Sequence, residues 1–197
     1  MEIMTKEQYR HKMFALRSGL KQEQVDSRSQ KVVERFLSFS ELQKYSNYLA
    51  YLPINKEVDT TSLLSRLLGL GKNVYLPRCH EDLVGQMDFF RIFNFSDLRP
   101  GYCGIYEPCL DLSMLYINHD RALCILPGLA FDRKGFRLGY GRGFFDRYFK
   151  SLQGPMPFLT GFAYDFQVVD FLPADEWDIP VDLVVSDEEI IFTSQKD

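Results

Sequence analysis

The stretch Arg137-Leu138-Gly139-Tyr140-Gly141-Arg142-Gly143-Phe144-Phe145-Asp146 sets glycine at every second position between two arginines, then ends on two aromatic rings and a carboxylate. Neither a strand nor a helix favours such a run, because glycine costs backbone entropy and offers no side chain to pack. A site that must admit phosphate oxygens does favour it. Without a Cβ in the way, backbone N–H groups can close on an anion. Arg133, Lys134, Arg137, Arg142 and Arg147 crowd positive charge into one segment of a chain whose net charge is −4. The spacing matches neither the GxxxxGK[ST] loop nor the dinucleotide GxGxxG. The segment reads as a polyphosphate-handling loop, with a solvated basic turn as the bland alternative.

Other residues gain meaning beside that loop. Asp146 falls in the first turn of a following helix, where a carboxylate is stabilised by the helix dipole or, next to phosphates, is placed to hold Mg²⁺. Asp175, Glu176, Asp178 and Asp182 lie in a proline-shaped stretch, DEWDIPVD, and are either solvated acids or partners of Asp146 in a metal site. Lys6 and Arg10, four apart, share one helix face. Glu57 follows a strand and precedes a helix, the topological place for a ligand contact as well as for an ordinary loop acid.

The elements that must hold these residues are legible as periodicities. Residues 5–37 look helical, with Thr5 as a start and Tyr9, Met13, Leu16 and Leu20 at helical spacing. A polar patch at Lys21 to Gln24 separates them from a second helix bearing Val32, Val33, Phe36 and Leu37. NYLAYLPI and NVYLP read as strands around a helix capped by Asp59 and built on Leu63, Leu64, Leu67 and Leu68. That strand–helix–strand unit builds parallel sheets. MDFFRIF, ALCIL, FLTGFAYD and DLVVSDEEIIF add strands, and Phe144 to Leu152 forms an aromatic helix. The expectation is one α/β domain over residues 1–197, with a mainly parallel sheet flanked by helices. The glycine loop then joins ALCIL to the aromatic helix, at the carboxyl end of a strand, where open α/β sheets bind ligands. The helix start adds further unpaired N–H groups.

Composition narrows the function. At 46% hydrophobic and 25% charged residues the chain is an ordinary globular protein. The acidic balance argues against nucleic acid as the main partner. No apolar run approaches the ~20 residues of a membrane helix, and MEIMTKEQYRHKMF is too polar for a signal peptide. Cys79, Cys103, Cys109 and Cys124 form no CxxC pair, and His11, His80 and His119 are scattered. Zinc spacing is absent from this pattern. The cysteines are expected to be reduced and mostly buried, in a soluble cytoplasmic protein.

Taken in series, KEQYR near the start, YLPINKEVDT, GIYEP, LPGLAFDRKGFRLGYGRGFFDRYF and WDIPVDLVVS resemble the 5-formyltetrahydrofolate cyclo-ligase family, also called methenyltetrahydrofolate synthetases. The resemblance covers nearly the whole chain, in the same order. It implies a Rossmann-like sheet and conversion of 5-formyltetrahydrofolate to 5,10-methenyltetrahydrofolate at the expense of ATP with Mg²⁺. A monomer that engages neither membrane nor nucleic acid is expected. It further implies that Lys6, Arg10 and the loop Arg137, Leu138, Gly139, Tyr140, Gly141, Arg142, Gly143, Phe144 and Phe145 hold ATP. Arg137 and Arg142 would act on the transferring phosphoryl, and Asp146 and Asp178 would hold Mg²⁺. Leu52, Glu57 and Tyr140 to Phe144 would face the folate. The chain departs from many members in having Phe144 and Phe145 for two tyrosines, and in having Arg142 where some carry lysine or glycine. Some members carry an aromatic ring near Cys103, a part that Tyr102 is placed to take. Three other readings stand beside this one: a nucleic-acid binder using the basic aromatic loop, a family member that binds without turnover, and a ligase for another formamide or carboxylate.

Overall fold

A computed structural model describes residues 4–80, 83, 85–110, 115–117 and 121–193. His119 and the side chain of Cys103 lie outside the described parts. Helix α1 (Lys6–Ser18) opens on a capping box in which Thr5 Oγ1 accepts from Gln8 N–H and Gln8 Oε1 accepts from Thr5 N–H. Helix α2 (Gln22–Ser38) follows a break at residues 19–21. The polar patch expected between the two helices is thus partly the first turn of α2, since its polar side chains suit a helix start facing water. Strand β1 (Asn47–Leu49), helix α3 (Thr61–Gly69) and strand β2 (Asn73–Cys79) form the expected crossover unit. Asp59 assists the start of α3 by accepting from Thr61 N–H at 2.8 Å, while Thr60, the capping position, turns its hydroxyl inward to the Tyr51 carbonyl.

Strand β3 (Met87–Ile92) and the hairpin of β4 (Leu98–Pro100) and β5 (Tyr106–Pro108) lead to β6 (Ala122–Leu126). Then come a second hairpin, β7 (Ala130–Asp132) and β8 (Arg137–Leu138), helix α4 (Phe144–Ser151), β9 (Phe158–Phe162), β10 (Val168–Val169), β11 (Leu183–Val185) and β12 (Ile190–Phe192). The main sheet has the order β12-β11-β9-β6-β1-β2-β3. Its neighbours from β11 to β2 pair in parallel, and the two outer strands β12 and β3 run antiparallel. Parallel strands covered on both faces read as unbroken apolar runs, and all five residues of β6 are buried.

One face of the sheet packs against α2 and α3 through Val32, Val33, Phe36, Leu63, Leu64 and Leu67. The other packs against α4 through Tyr148 and Phe149 on Phe89, Cys124 and Leu159. A small three-stranded sheet, β10-β7-β8, sits under α1 with its own cluster of Met13, Leu129, Ala130, Leu138 and Leu172. The buried stripe of α1 is not the one that periodicity suggests. Leu16 is 46% exposed, and Arg17, 0% exposed, takes the inward position one turn beyond Met13. The cysteines also differ from expectation: Cys124 is buried, but Cys79 and Cys109 are only half-buried because they sit at strand ends beside an open cavity and a hairpin.

Candidate active site

Strands β1 and β6 are neighbours, yet the chain leaving β1 crosses to β2 on one side and the chain leaving β6 crosses to β9 on the other. Such a reversal opens a crevice beyond the strand ends, the usual ligand position in open α/β sheets. Here it holds a cavity of about 860 Å³, within the size range of small-molecule sites. Residues after β1, from Tyr51 to Glu57, form one wall, and Pro127, Gly128 and the loop from Arg137 to Arg147 form another.

The loop is aimed by the β7–β8 hairpin. Asp132, 1% exposed, organises its turn by accepting from Lys134 and Phe136 N–H, each at 2.9 Å, and from Leu172 N–H at 3.2 Å. From β8 the chain enters a glycine run in which Gly141 (φ +96) and Gly143 (φ +62) occupy left-handed backbone that other residues resist. Gly143 caps α4 without a side-chain bond, and the first N–H groups of a helix have no partner within it. Positive charge surrounds the run. Arg10 Nε donates to the Gly139 carbonyl at 3.1 Å. Arg137, its side chain 7% exposed, pairs with Asp146 at 3.0 Å and lies 5.4 Å from the Phe145 ring centroid, while its buried Nε has no partner. Arg142 donates to the Tyr102 hydroxyl at 2.5 Å, and Tyr102 packs edge-on to Phe144. Lys6 reaches from α1 to Asp175 at 2.6 Å and to Asp178. Partial desolvation works against the Lys6 ammonium, but those two acids outweigh it and hold its pKa above the ordinary value.

On the opposite wall Glu57 is 4% exposed. It is held there by a turn in which Asn55 (φ 47) and Lys56 (φ 57) are both left-handed, a conformation that costs energy outside glycine. Lys56 compensates by donating to the Ser18 and Leu20 carbonyls at 2.7 and 2.6 Å, which ties the turn to the α1–α2 connection. Burial pushes the Glu57 carboxyl up to about 7, against the opposing influence of Arg17, the Ile54 N–H at 3.0 Å, Tyr140 and Arg137.

The residues that the resemblance assigns to ATP, folate or Mg²⁺, namely Lys6, Arg10, Leu52, Glu57, Arg137 to Asp146 and Asp178, all contribute to this one cavity. Leu138 does so beside its role in β8, its side chain buried on Met13 and Leu129. Three expectations need correction. Arg133 turns outward to Glu189 at 2.7 Å, and neither it nor Lys134 lines the cavity, because both sit at the hairpin tip. Asp182 belongs to the sheet, where it accepts from Leu159 N–H at 2.8 Å. Glu176 also lies outside the cavity wall, although Asp175 and Asp178 are in it. Asp146 and Asp178 each face a cation, and among the described residues no group of three or more His, Cys, Asp or Glu is arranged to hold a metal unaided. Sequence reasoning missed Lys150, Glu107 and Arg17. Lys150 is one helical turn beyond Asp146 and Arg147, a spacing that could have revealed it. Glu107, 3% exposed, accepts from Cys79 N–H at 3.1 Å and has no local pattern to flag it.

A family model described as the 5-formyltetrahydrofolate cyclo-ligase family matches residues 2–187. The chain is 31% identical to the 5-formyltetrahydrofolate cyclo-ligase of Haemophilus influenzae over 92% of its own length and 97% of that protein's. It is 33% identical to that of Escherichia coli K12 over 88% and 96%. Among solved structures, the 5,10-methenyltetrahydrofolate synthetase of Aquifex aeolicus superposes with a TM-score of 0.84 at 33% identity, over 98% of this chain and 95% of that one. The Mycoplasma pneumoniae synthetase, at 22% identity and a TM-score of 0.74, shares the fold over 93% of this chain and 99% of its own. With a family match over residues 2–187 and these relatives, the chain belongs to the 5-formyltetrahydrofolate cyclo-ligase family.

Proposed function

We propose that this protein uses ATP and Mg²⁺ to convert 5-formyltetrahydrofolate to 5,10-methenyltetrahydrofolate, releasing ADP and phosphate. The observation that carries the reading is the joining, in one cavity, of a cationic glycine loop with a wall of Glu57, Leu52 and aromatic rings. A formamide carbon is a poor electrophile and its oxygen a poor leaving group. Transfer of the γ-phosphoryl of ATP to the formyl oxygen expels ADP and makes that oxygen part of a phosphate ester. N10 then attacks the formyl carbon, the C–O bond breaks to release phosphate, and loss of the N10 proton leaves the five-membered methenyl bridge. No protein nucleophile is required, so the protein's work is positioning and charge stabilisation.

The residues present fit a polyphosphate. Arg137 has a buried, unpartnered Nε, and the Gly141 and Gly143 backbone leaves room for an anion at the start of α4. They also fit a magnesium ion, which needs only one or two carboxylates beside phosphate oxygens, and Asp146 and Asp178 are such carboxylates on the wall. When bound, Mg²⁺ would neutralise charge on the phosphates. Lys6, Arg10 and the backbone from Leu138 to Phe145 hold ATP, and Arg137 and Arg142 stabilise the phosphoryl as it moves. Leu52, Tyr102, Tyr140 and Phe144 pack on the folate, and Glu57 accepts its N–H donors. One chain supplies the whole cavity, which suits a monomer, and Cys79, Cys109 and Cys124 as thiols suit a reducing compartment.

The test is a spectrophotometric assay with 5-formyltetrahydrofolate, ATP and Mg²⁺, following the near-ultraviolet band of the methenyl product. A band that needs both ATP and metal is the expected outcome. Folded protein that gives no band but releases ADP with another formamide or carboxylate would move the assignment to a different acceptor.

A further inference from the structure

Arg17 is 0% exposed although it stands in the last turn of a surface helix, where a cation normally reaches water or the helix-end carbonyls. Burying a guanidinium costs several kcal/mol of hydration, and one long ion pair does not recover that. Its contacts are also divided. Nη1 donates to the Gly128 carbonyl at 3.0 Å and stands 3.9 Å from Glu57 Oε1. Nη2 donates to the Tyr140 hydroxyl, the guanidinium carbon lies 5.4 Å from the Tyr140 ring centroid, and Nε has no partner. Gly128, Tyr140 and Glu57 come from three separate segments, and all three line the cavity while Arg17 stands behind them.

We propose that Arg17 is a positioning residue that locks the phosphate loop to the folate-side carboxylate, holding Tyr140 and Glu57 at one fixed separation. A donor bond from Arg17 leaves the Tyr140 hydroxyl its own proton, which faces the Glu57 carboxyl and favours its charged form. Arg17 therefore reaches Glu57 twice, through the field of its charge and through Tyr140. The other groups facing Glu57 are Arg137 on β8, the Ile54 N–H of its own turn, and the Tyr51 phenol at the end of β1, which burial and Glu57 itself keep protonated. Tyr164 donates to the backbone carbonyls of Lys56 and Glu57, at 3.2 and 3.1 Å. Because Arg137 would be occupied by phosphate when nucleotide binds, Arg17 is the cation that serves Glu57 throughout a cycle. This last step rests on the function proposed above; the linkage itself does not.

The experiment compares Arg17→Met, Arg17→Lys and wild type in two ways. Carbon-13 NMR follows the Glu57 carboxyl titration in ligand-free protein, and steady-state kinetics gives KM and kcat for each substrate against pH. Loss of a cation at this range moves a carboxyl midpoint upward by about one unit or more. Arg17→Met is therefore expected to shift the Glu57 midpoint to higher pH and to raise the KM for 5-formyltetrahydrofolate about tenfold at pH 7, with recovery at higher pH. Arg17→Lys keeps the charge but not the fork, so its midpoint stays near wild type while KM rises for both substrates. An unmoved midpoint and unmoved KM values in a variant that merely melts earlier would overturn the proposal. If Arg17→Met does not fold, Tyr140→Phe removes the hydroxyl bridge, and a Glu57 titration unchanged by that variant overturns it equally. The titration needs no substrate, so a protein without folate turnover would refute the functional reading while leaving this test intact.

Discussion

Asp146 has two candidate duties, a stable partner for Arg137 at 3.0 Å and a ligand for magnesium, and substitution separates them. The pair is largely buried, with side chains 7% and 23% exposed, so removing one partner costs about 3–5 kcal/mol, and loss of a charge-stabilising group at a reacting phosphate costs about a hundredfold or more in rate. Asp146→Ala and Arg137→Ala are therefore expected to lower the melting temperature and, in protein still folded at the assay temperature, to lower turnover or raise the KM for ATP. A variant that melts early with full specific activity would make that residue structural. Glu57 carries a pH signature of its own. Its carboxyl is raised from an ordinary 4.5 to about 7, so between those values the unfolded chain is ionised while the folded chain keeps its proton. Stability must then fall as pH rises through that window. Glu57→Gln removes the titration, and the loss of stability between pH 5 and pH 8 should shrink by on the order of 2 kcal/mol in urea denaturation. An equal loss in both proteins would show that Glu57 does not titrate there.

At the scale of elements, the glycine loop depends on a hairpin whose tip, at Arg133 to Gly135, lies outside the cavity. Gly135 (φ +93) turns it, and a Cβ there would collide with the Val181 carbonyl and approach Thr193 Oγ1 at 2.9 Å. Gly135→Ala should cost about 1–3 kcal/mol, read as a lower melting temperature, while KM stays near wild type at low temperature. A large rise in KM with unchanged melting would mean the hairpin moves with the ligand. The same hairpin shows what local sequence can and cannot convey. The parallel strands announce themselves, because burial on both faces forces unbroken apolar runs such as ALCIL, and the glycine loop announces itself through its backbone requirements. Strands of two or three residues, such as β8 and β10, carry too little periodicity to be seen. Arg17 is invisible for a different reason: a charge in a helix is ordinarily solvated, and only the tertiary positions of Gly128, Tyr140 and Glu57 make burial tolerable. The paired acids of the late loop looked equivalent in sequence. Their separation into Asp175 and Asp178 at the cavity and Asp182 in the sheet depends on how the chain enters β11.

For the molecule as a whole, the chain's single tryptophan lines the cavity at 52% exposure, beside the acids that meet Lys6. Its fluorescence should change in intensity or wavelength when ATP or 5-formyltetrahydrofolate is titrated, and the signal should vanish in Trp177→Phe. A constant emission under conditions of saturating turnover would place both ligands away from that end of the cavity. Helix α1 has a consequence of a different kind. It is made before the sheet, yet Arg10 and Arg17 bond to residues more than a hundred positions later, and Lys6 waits for Asp175 and Asp178. On a ribosome the cavity therefore stays open on one side until Asp178 has emerged, and contacts of such long sequence separation close slowly. The sheet can form beforehand. In pulsed hydrogen exchange during refolding, α1 amides should gain protection after those of β1, β6 and β9, and nucleotide should hasten only that last step. Simultaneous protection of all four elements would mean that helix and sheet fold as one unit.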